Sequence, residues 1–263
     1  MSRILIKSIQ QQKNVRKIKC LTAYTASIAK IIDKHVDIIL IGDSLGTVIY
    51  GMKNTQKVTL DMMKIHGLAV SISSKKAFTI VDMPFGTYKN KKQALRNCYK
   101  LLDYTKCQAV KLETDEETIE IVKYLTSNKI KVVSHIGVTP QKYKNFDTIR
   151  SVGKDAKEKE KIYTLAQKLE QANSCLIVLE CIKADLAKKI TANLTIPTIG
   201  IGASSDCDGQ VLVINDLLCT DPSLKKPRFI KSYTKLNIII ENAVKKYCLD
   251  VINKKFPLKK NTY

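Results

Sequence analysis

Short apolar runs, each closing in a polar or ionisable residue, recur along the chain with longer mixed segments between them. The most pronounced is Ile38-Ile39-Leu40-Ile41, entered from Asp37 and left through Gly42-Asp43-Ser44-Leu45-Gly46. Consecutive β-branched and leucine side chains without polar alternation read as a strand buried on both faces, as in parallel sheets. The same form returns downstream. Phe78-Thr79-Ile80-Val81 stops at Asp82, Ala109-Val110 leads into Lys111-Leu112-Glu113, Lys131-Val132-Val133-Ser134 stops at His135, and Leu176-Ile177-Val178-Leu179 stops at Glu180. Ile18–Leu21, Thr198–Ile201 and Gln210–Ile214 bring the predicted strands to eight.

The intervening segments carry helical spacing. Ile4 to Lys13 predicts a lead-in helix, and Thr25 caps a helix bearing Ile28, Ala29, Ile31 and Ile32. Thr59 caps Leu60–Ser73, whose inner side is Met63, Gly67 and Val70. Lys91–Tyr104, Glu116–Ser127, a charged helix from Asp155 to about Asn173, Lys183–Asn193 and a terminal helix packing outside over Lys231–Tyr247 follow. Strict βα alternation calls for a parallel sheet, closed or doubly wound. Eight strands in order, with ionisable groups at their C-terminal ends, favour a closed (β/α)8 TIM barrel with N-terminal lead-in and C-terminal helices. The chain of 263 residues then reads as one barrel domain, 1–263, near the roughly 250 residues such barrels need. The polar stretch between His135 and Asp155 is too long for a plain connection and reads as a functional loop or lid.

Composition adjusts this picture in three places. Lys and Arg outnumber Asp and Glu 45 to 24, a net charge of +21, which raises nucleic acid or an anionic membrane as partners. Nearly all the basic residues are Lys, dispersed and seldom beside aromatics, whereas base and phosphate readers favour clustered Arg; no specific nucleic acid is expected. No apolar run reaches membrane-spanning length, and the polar run Gln10-Gln11-Gln12 stands where a signal peptide would have its apolar core, so a soluble cytoplasmic protein is expected. The eight cysteines have no Cys-x-x-Cys pair and read as reduced thiols in small apolar sites.

Asp43, Asp82 and Glu113 end the second, third and fourth strands, neighbours around one sector of a barrel mouth. Converging carboxylates repel unless a hard divalent cation joins them, and Mg²⁺ takes few carboxylates plus substrate oxygens. Each acid could instead cap a helix or stay solvated. Lys111 lies two residues before Glu113 and so shares its face of the strand; it calls for an anion, a substrate carboxylate or one of the acids. Glu180 faces the same mouth and is a candidate general base, with an ion pair to Lys183 or Lys188 as the competing view. His135 is the one histidine at a strand end, in a supporting or purely structural role.

Together, Leu21-Thr22-Ala23-Tyr24, Gly42-Asp43-Ser44-Leu45-Gly46, Asp82-Met83-Pro84-Phe85-Gly86, Lys111-Leu112-Glu113, His135-Ile136-Gly137-Val138-Thr139-Pro140-Gln141, Leu179-Glu180-Cys181, Pro197-Thr198-Ile199-Gly200-Ile201-Gly202-Ala203 and Asp208-Gly209-Gln210 resemble the ketopantoate hydroxymethyltransferase family from about Cys20 to Phe256. The resemblance implies a barrel of the phosphoenolpyruvate/pyruvate type. It also implies one-carbon transfer from 5,10-methylenetetrahydrofolate to α-ketoisovalerate, giving ketopantoate for pantothenate and coenzyme A. It further implies that Asp43 and Asp82 hold Mg²⁺ with Glu113 beside them, that Ser44 and Lys111 bind the keto acid, that Glu180 takes its proton, and that the chain forms a homo-oligomer, a decamer.

Three positions depart from the family pattern: Thr25 replaces an Asp, Phe146 to Lys154 replaces a glycine-rich loop, and Asn215-Asp216 replaces His-Asp. These bear on folate binding and lid closure more than on the acids. Two rivals remain. Another Mg²⁺-dependent 2-oxo acid lyase or mutase of the same superfamily would be expected to carry a lid cysteine, absent from this loop. A non-catalytic basic nucleic-acid-binding protein would show salt-dependent binding.

Overall fold

In a computed structural model of the chain, residues 3–145, 148, 150–222 and 227–263 are described. Strands β1 (Ile18–Thr22), β2 (Ile38–Ile41), β3 (Phe78–Asp82), β4 (Ala109–Glu113), β5 (Val132–Gly137), β6 (Leu176–Glu180), β7 (Thr198–Ile201) and β8 (Gly209–Leu212) pair in chain order, and β8 returns to β1 to close the barrel. All pairings are parallel. Every residue of β2, β3 and β4 is buried, the polar Thr79, Asp82, Lys111 and Glu113 included. Ile38, Leu40, Ile80, Val133, Val178 and Ile199 belong to a core cluster that fills the barrel.

Helices α1 (Ile6–Gln10), α2 (Ala26–Ile32), α3 (Leu45–Val48), α4 (Leu60–Ser73), α5 (Lys91–Thr105), α6 (Ile119–Ser127), α7 (Ala156–Gln171) and α8 (Ala184–Asn193) lie between the strands, except that α1 precedes β1, α3 and α4 share the β2–β3 connection, and β7 runs to β8 without a helix. Thr25, Thr59, Asn90 and Asp155 accept the N–H groups of Ile28, Met62, Gln93 and Glu158 at the starts of α2, α4, α5 and α7. Such caps contribute about 1 kcal/mol each.

The N-terminal end of the barrel is shut by the lead-in segment. Ile9 is fully buried within the core cluster, an aliphatic burial of about 1.5–3 kcal/mol. Gln10 Nε2 donates to the Cys175 carbonyl at 3.1 Å, and Lys13 Nζ reaches Asp208 at 2.8 Å. Arg3 donates to the carbonyls of Ser71 and Ser74.

Several boundaries differ from the sequence-based expectation. The lead-in helix covers only Ile6–Gln10, and β8 stops at Leu212, with Ile214 opening α9 (Ile214–Leu218). An apolar run does not by itself separate a strand end from the first turn of a helix. β5 continues past His135 because Gly137 still pairs with Glu180, and α3 forms where a loop was expected. Of the long loop, Phe146, Asp147 and Ile149 lie outside the described residues; Val152 bridges Ile182 beyond them.

The chain divides into two compact units, Met1–Val213 and Ile214–Tyr263. The second holds α9 and α10 (Leu236–Ile252), the latter beginning and ending five residues later than expected. Within it Tyr233 N–H donates to the Leu217 carbonyl at 2.8 Å. All eight cysteines are free; Cys20, Cys98, Cys107, Cys175 and Cys207 are buried, whereas Cys248 is exposed and fills no apolar site. No helix among the described residues is long and apolar enough to cross a membrane.

Candidate active site

Strand register brings the ionisable groups to one level of the C-terminal mouth. Asp82 pairs with Lys111 across β3 and β4, Glu113 with His135 across β4 and β5, and Gly137 with Glu180 across β5 and β6. Asp43 joins them one residue beyond Gly42, its backbone N–H donating to Asp82 Oδ2 at 3.0 Å. A Cβ at Gly42 would meet Ser44 Oγ at 2.8 Å, so this turn admits only glycine without displacing Ser44. Ser44 Oγ is 2.8 Å from the Tyr24 hydroxyl.

Lys111, 7% exposed, puts its ammonium 3.1 Å from Asp82 Oδ2. Burial works against its charge, but Asp82, Asp43 and Glu113 outweigh burial and raise its pKa. The acids move the other way from normal. Burial pushes Asp82 up to about 7 against the pull of Lys111, and burial likewise raises Asp43. Glu113 rises well above the usual carboxylate range through burial and the neighbouring Asp43 charge. Asp82 Oδ1 is buried with no hydrogen-bond partner.

That orphaned oxygen, on a desolvated carboxylate beside a second one, is what a hard cation would satisfy. Among the described residues no group of three or more His, Cys, Asp and Glu side chains is arranged to hold a metal ion. Mg²⁺ commonly uses one or two carboxylates with waters and substrate oxygens, so Asp43 and Asp82 fit it. Glu113 is otherwise engaged: both of its oxygens accept the Gln141 backbone N–H at 3.1 Å.

Across the mouth, Glu180 Oε2 lies 3.1 Å from His135 Nε2, without the alignment of a hydrogen bond. Burial and the Lys111 charge lower the His135 pKa more than Glu180 raises it, so the ring is neutral at physiological pH. Glu180 does not form the ion pair with Lys183 or Lys188 that competed with the base reading; Lys188 approaches Asp206 at 4.0 Å. Its backbone is set by neighbours. Gly137 has φ of +100°, and a Cβ there would run into the Glu180 carbonyl. Cys181 follows in the left-handed region at φ 51°.

Two site residues were not singled out from sequence. Gln141 lies in the helical turn Pro140–Lys142, and its Nε2 donates to Asp43 Oδ2 at 2.7 Å and to the Met83 carbonyl at 3.0 Å. Tyr88 donates its hydroxyl to Gln141 Oε1 at 2.6 Å. Gln141 closes the His135 to Gln141 motif, so the signal was present without a role attached. The departures at Thr25 and Asn215 have local duties: Thr25 caps α2, and Asn215 Nδ2 donates to Thr220 Oγ1 at 3.1 Å.

A family model described as ketopantoate hydroxymethyltransferase matches residues 3–259. The chain is 47% identical over 253 residues to a 3-methyl-2-oxobutanoate hydroxymethyltransferase of Pelagibacter ubique, covering 96% of each. Among solved structures, a phosphoenolpyruvate phosphomutase from Streptomyces platensis superposes with a TM-score of 0.63 at 8% identity, over 95% of this chain and 88% of that one. A 2,3-dimethylmalate lyase, titled a member of the PEP mutase/isocitrate lyase superfamily, gives 0.57 at 12% identity over 79% and 80%. These two likenesses show the fold alone, a (β/α)8 barrel. With nearly the whole chain matched by the family model and by a relative at this identity, the chain belongs to the ketopantoate hydroxymethyltransferase family of enzymes.

Proposed function

We propose that the mouth transfers a hydroxymethyl group from 5,10-methylenetetrahydrofolate to 3-methyl-2-oxobutanoate (α-ketoisovalerate), giving ketopantoate for pantothenate and coenzyme A synthesis. The observation that carries this reading is the pairing of two poles in one rim. On one side the Asp82 carboxylate takes both the Lys111 ammonium and the backbone N–H of Asp43, and on the other Glu180 stands against a neutral His135. When bound, Mg²⁺ supplies Lewis-acid stabilisation of negative charge developing on the substrate oxygens, worth several kcal/mol.

Asp43 and Asp82 hold the cation, with Glu113 beside them. Lys111 and Ser44 orient the keto acid, Lys111 through a charge-assisted hydrogen bond to its carboxylate. Glu180 removes the proton from the carbon next to the keto group. The electron pair left on that carbon attacks the folate-borne methylene, forming the new carbon–carbon bond as a bond from that methylene to a folate nitrogen breaks. Water supplies the hydroxyl as the methylene's other bond to a folate nitrogen breaks, and the two freed nitrogens take the proton removed by Glu180 and one proton of that water, releasing tetrahydrofolate. His135, neutral at working pH, keeps Glu180 facing the substrate without neutralising it. The protein acts as a homo-oligomer in the cytoplasm.

The test separates proton removal from folate. In heavy water with Mg²⁺ and α-ketoisovalerate alone, the wild-type protein is expected to exchange the proton next to the keto group, followed by loss of its NMR signal. Glu180→Gln is expected to exchange about 10²- to 10⁴-fold more slowly while keto acid binding persists. Unchanged exchange in that variant would move the base elsewhere, with His135 next in line.

A further inference from the structure

Gln141 is buried at 3% exposure, and every polar atom it carries is used. Its backbone N–H serves both oxygens of Glu113. Its carbonyl accepts from Gln56 Nε2 at 2.9 Å. Its side-chain nitrogen spends both hydrogens on Asp43 Oδ2 and the Met83 carbonyl, while its side-chain oxygen takes the Tyr88 hydroxyl. The partners dictate the orientation of the amide. A carbonyl and an ionised carboxylate only accept, so the nitrogen must face them, and the Tyr88 hydroxyl must then donate to the oxygen. Burial, followed by the charges of Glu113, Asp43 and Asp82, raises the Tyr88 pKa and keeps that hydroxyl protonated.

We infer that Gln141 is a positioning residue for the cation site, holding Asp43 by one oxygen and tying both oxygens of Glu113 to the backbone, with Tyr88 locking the amide against rotation. The inference rests on the reading of Asp43 and Asp82 as the cation's carboxylates. A carboxylate free to rotate must be ordered each time a cation binds. An outer partner that orders it beforehand raises metal affinity by about 10- to 100-fold. The arrangement also accounts for Glu113 standing beside the two aspartates instead of joining them.

The experiment titrates metal-free protein with Mn²⁺, with neither keto acid nor folate present, and counts free ion by electron paramagnetic resonance. Gln141→Met keeps side-chain length and the backbone bond to Glu113 but removes the amide. Its Mn²⁺ affinity is expected to fall about 10- to 100-fold relative to wild type. Tyr88→Phe, which removes only the lock, is expected to lose affinity in the same direction by less. Gln56→Ala, which touches only the Gln141 carbonyl, is expected to bind like wild type.

Wild-type affinity in a folded Gln141→Met protein overturns the inference and leaves the two-aspartate reading standing. A loss in Gln56→Ala equal to that in Gln141→Met also overturns it, because the turn and not the amide would then matter. If Gln141→Met does not fold by circular dichroism, Tyr88→Phe decides, and wild-type affinity there overturns the inference. A wild-type protein that binds no Mn²⁺ overturns both the metal reading and the role given to Gln141.

Discussion

The two ends of the barrel treat buried aspartates in opposite ways. At the N-terminal end Asp33 accepts the Ser74 hydroxyl at 2.6 Å and the backbone N–H groups of Lys75, Lys76 and Ala77. Asp37 accepts two bonds from the Arg16 guanidinium, at 2.8 and 3.1 Å, and one from Lys19 N–H. Burial alone would raise both acids, yet these donors outweigh it and hold both below the usual carboxylate value. At the C-terminal mouth the same residue type is short of donors. Asp82 keeps an oxygen without a partner and Asp43 crowds it, and both are raised. Deeper burial and a shorter supply of donors together separate the acids held ready for a ligand from those that fasten the fold.

The largest expected break in this contrast comes from neutralising the mouth. Asp82→Asn should lower Mg²⁺-dependent turnover by at least about 10²-fold, the scale of several kcal/mol of Lewis-acid stabilisation, while raising the melting temperature of the metal-free protein. A melting temperature that falls instead would mean the mouth acids hold the fold after all. Next, Lys111→Met strands carboxylates beside one another, which should destabilise the metal-free protein at pH 8 by about 3–5 kcal/mol in a urea titration. The half-saturating α-ketoisovalerate concentration should rise with it; a change in folate saturation alone would place the lysine on the wrong ligand.

At the other end, Asp33→Asn should destabilise by about 1–3 kcal/mol through donors left unsatisfied, the opposite sign to Asp82→Asn. The smallest effect is on acid stability. Because Asp33 is held below its ordinary 3.8, its contribution is complete above about that pH and is lost as pH falls through the lower folded value. Asp33→Asn should therefore flatten the acid limb of the stability curve below about pH 4; an unchanged limb in urea titrations would remove Asp33 from the account.

The barrel was legible because eight short, mainly apolar runs alternate with segments of helical spacing, and Thr25, Thr59 and Asp155 cap where their spacing places them. Strand register follows from the same pattern, so Asp82, Lys111, Glu113, His135 and Glu180 could be assigned to one rim. What could not be read is which groups saturate which. Gln141 meets Asp43 across 98 residues and Tyr88 across 53, and a glutamine gives no sign in sequence of which way its amide faces. The close approach of His135 to Glu180 depends on rotamers that periodicity does not encode. The strand-to-helix switch at Ile214 was hidden by an apolar run compatible with either element.

The lead-in segment has a consequence for how the chain is born. Lys13 meets Asp208 across 195 residues, and β1 finds its second neighbour only when Gly209–Leu212 exists. The first strand translated thus waits for the last, and contacts of such separation close slowly. Until then β1 and β7 are open edges able to pair with other chains. Ribosome-bound chains stalled before Gly209 are expected to stay protease-sensitive and prone to aggregate, and resistance should appear once Leu212 has cleared the exit tunnel.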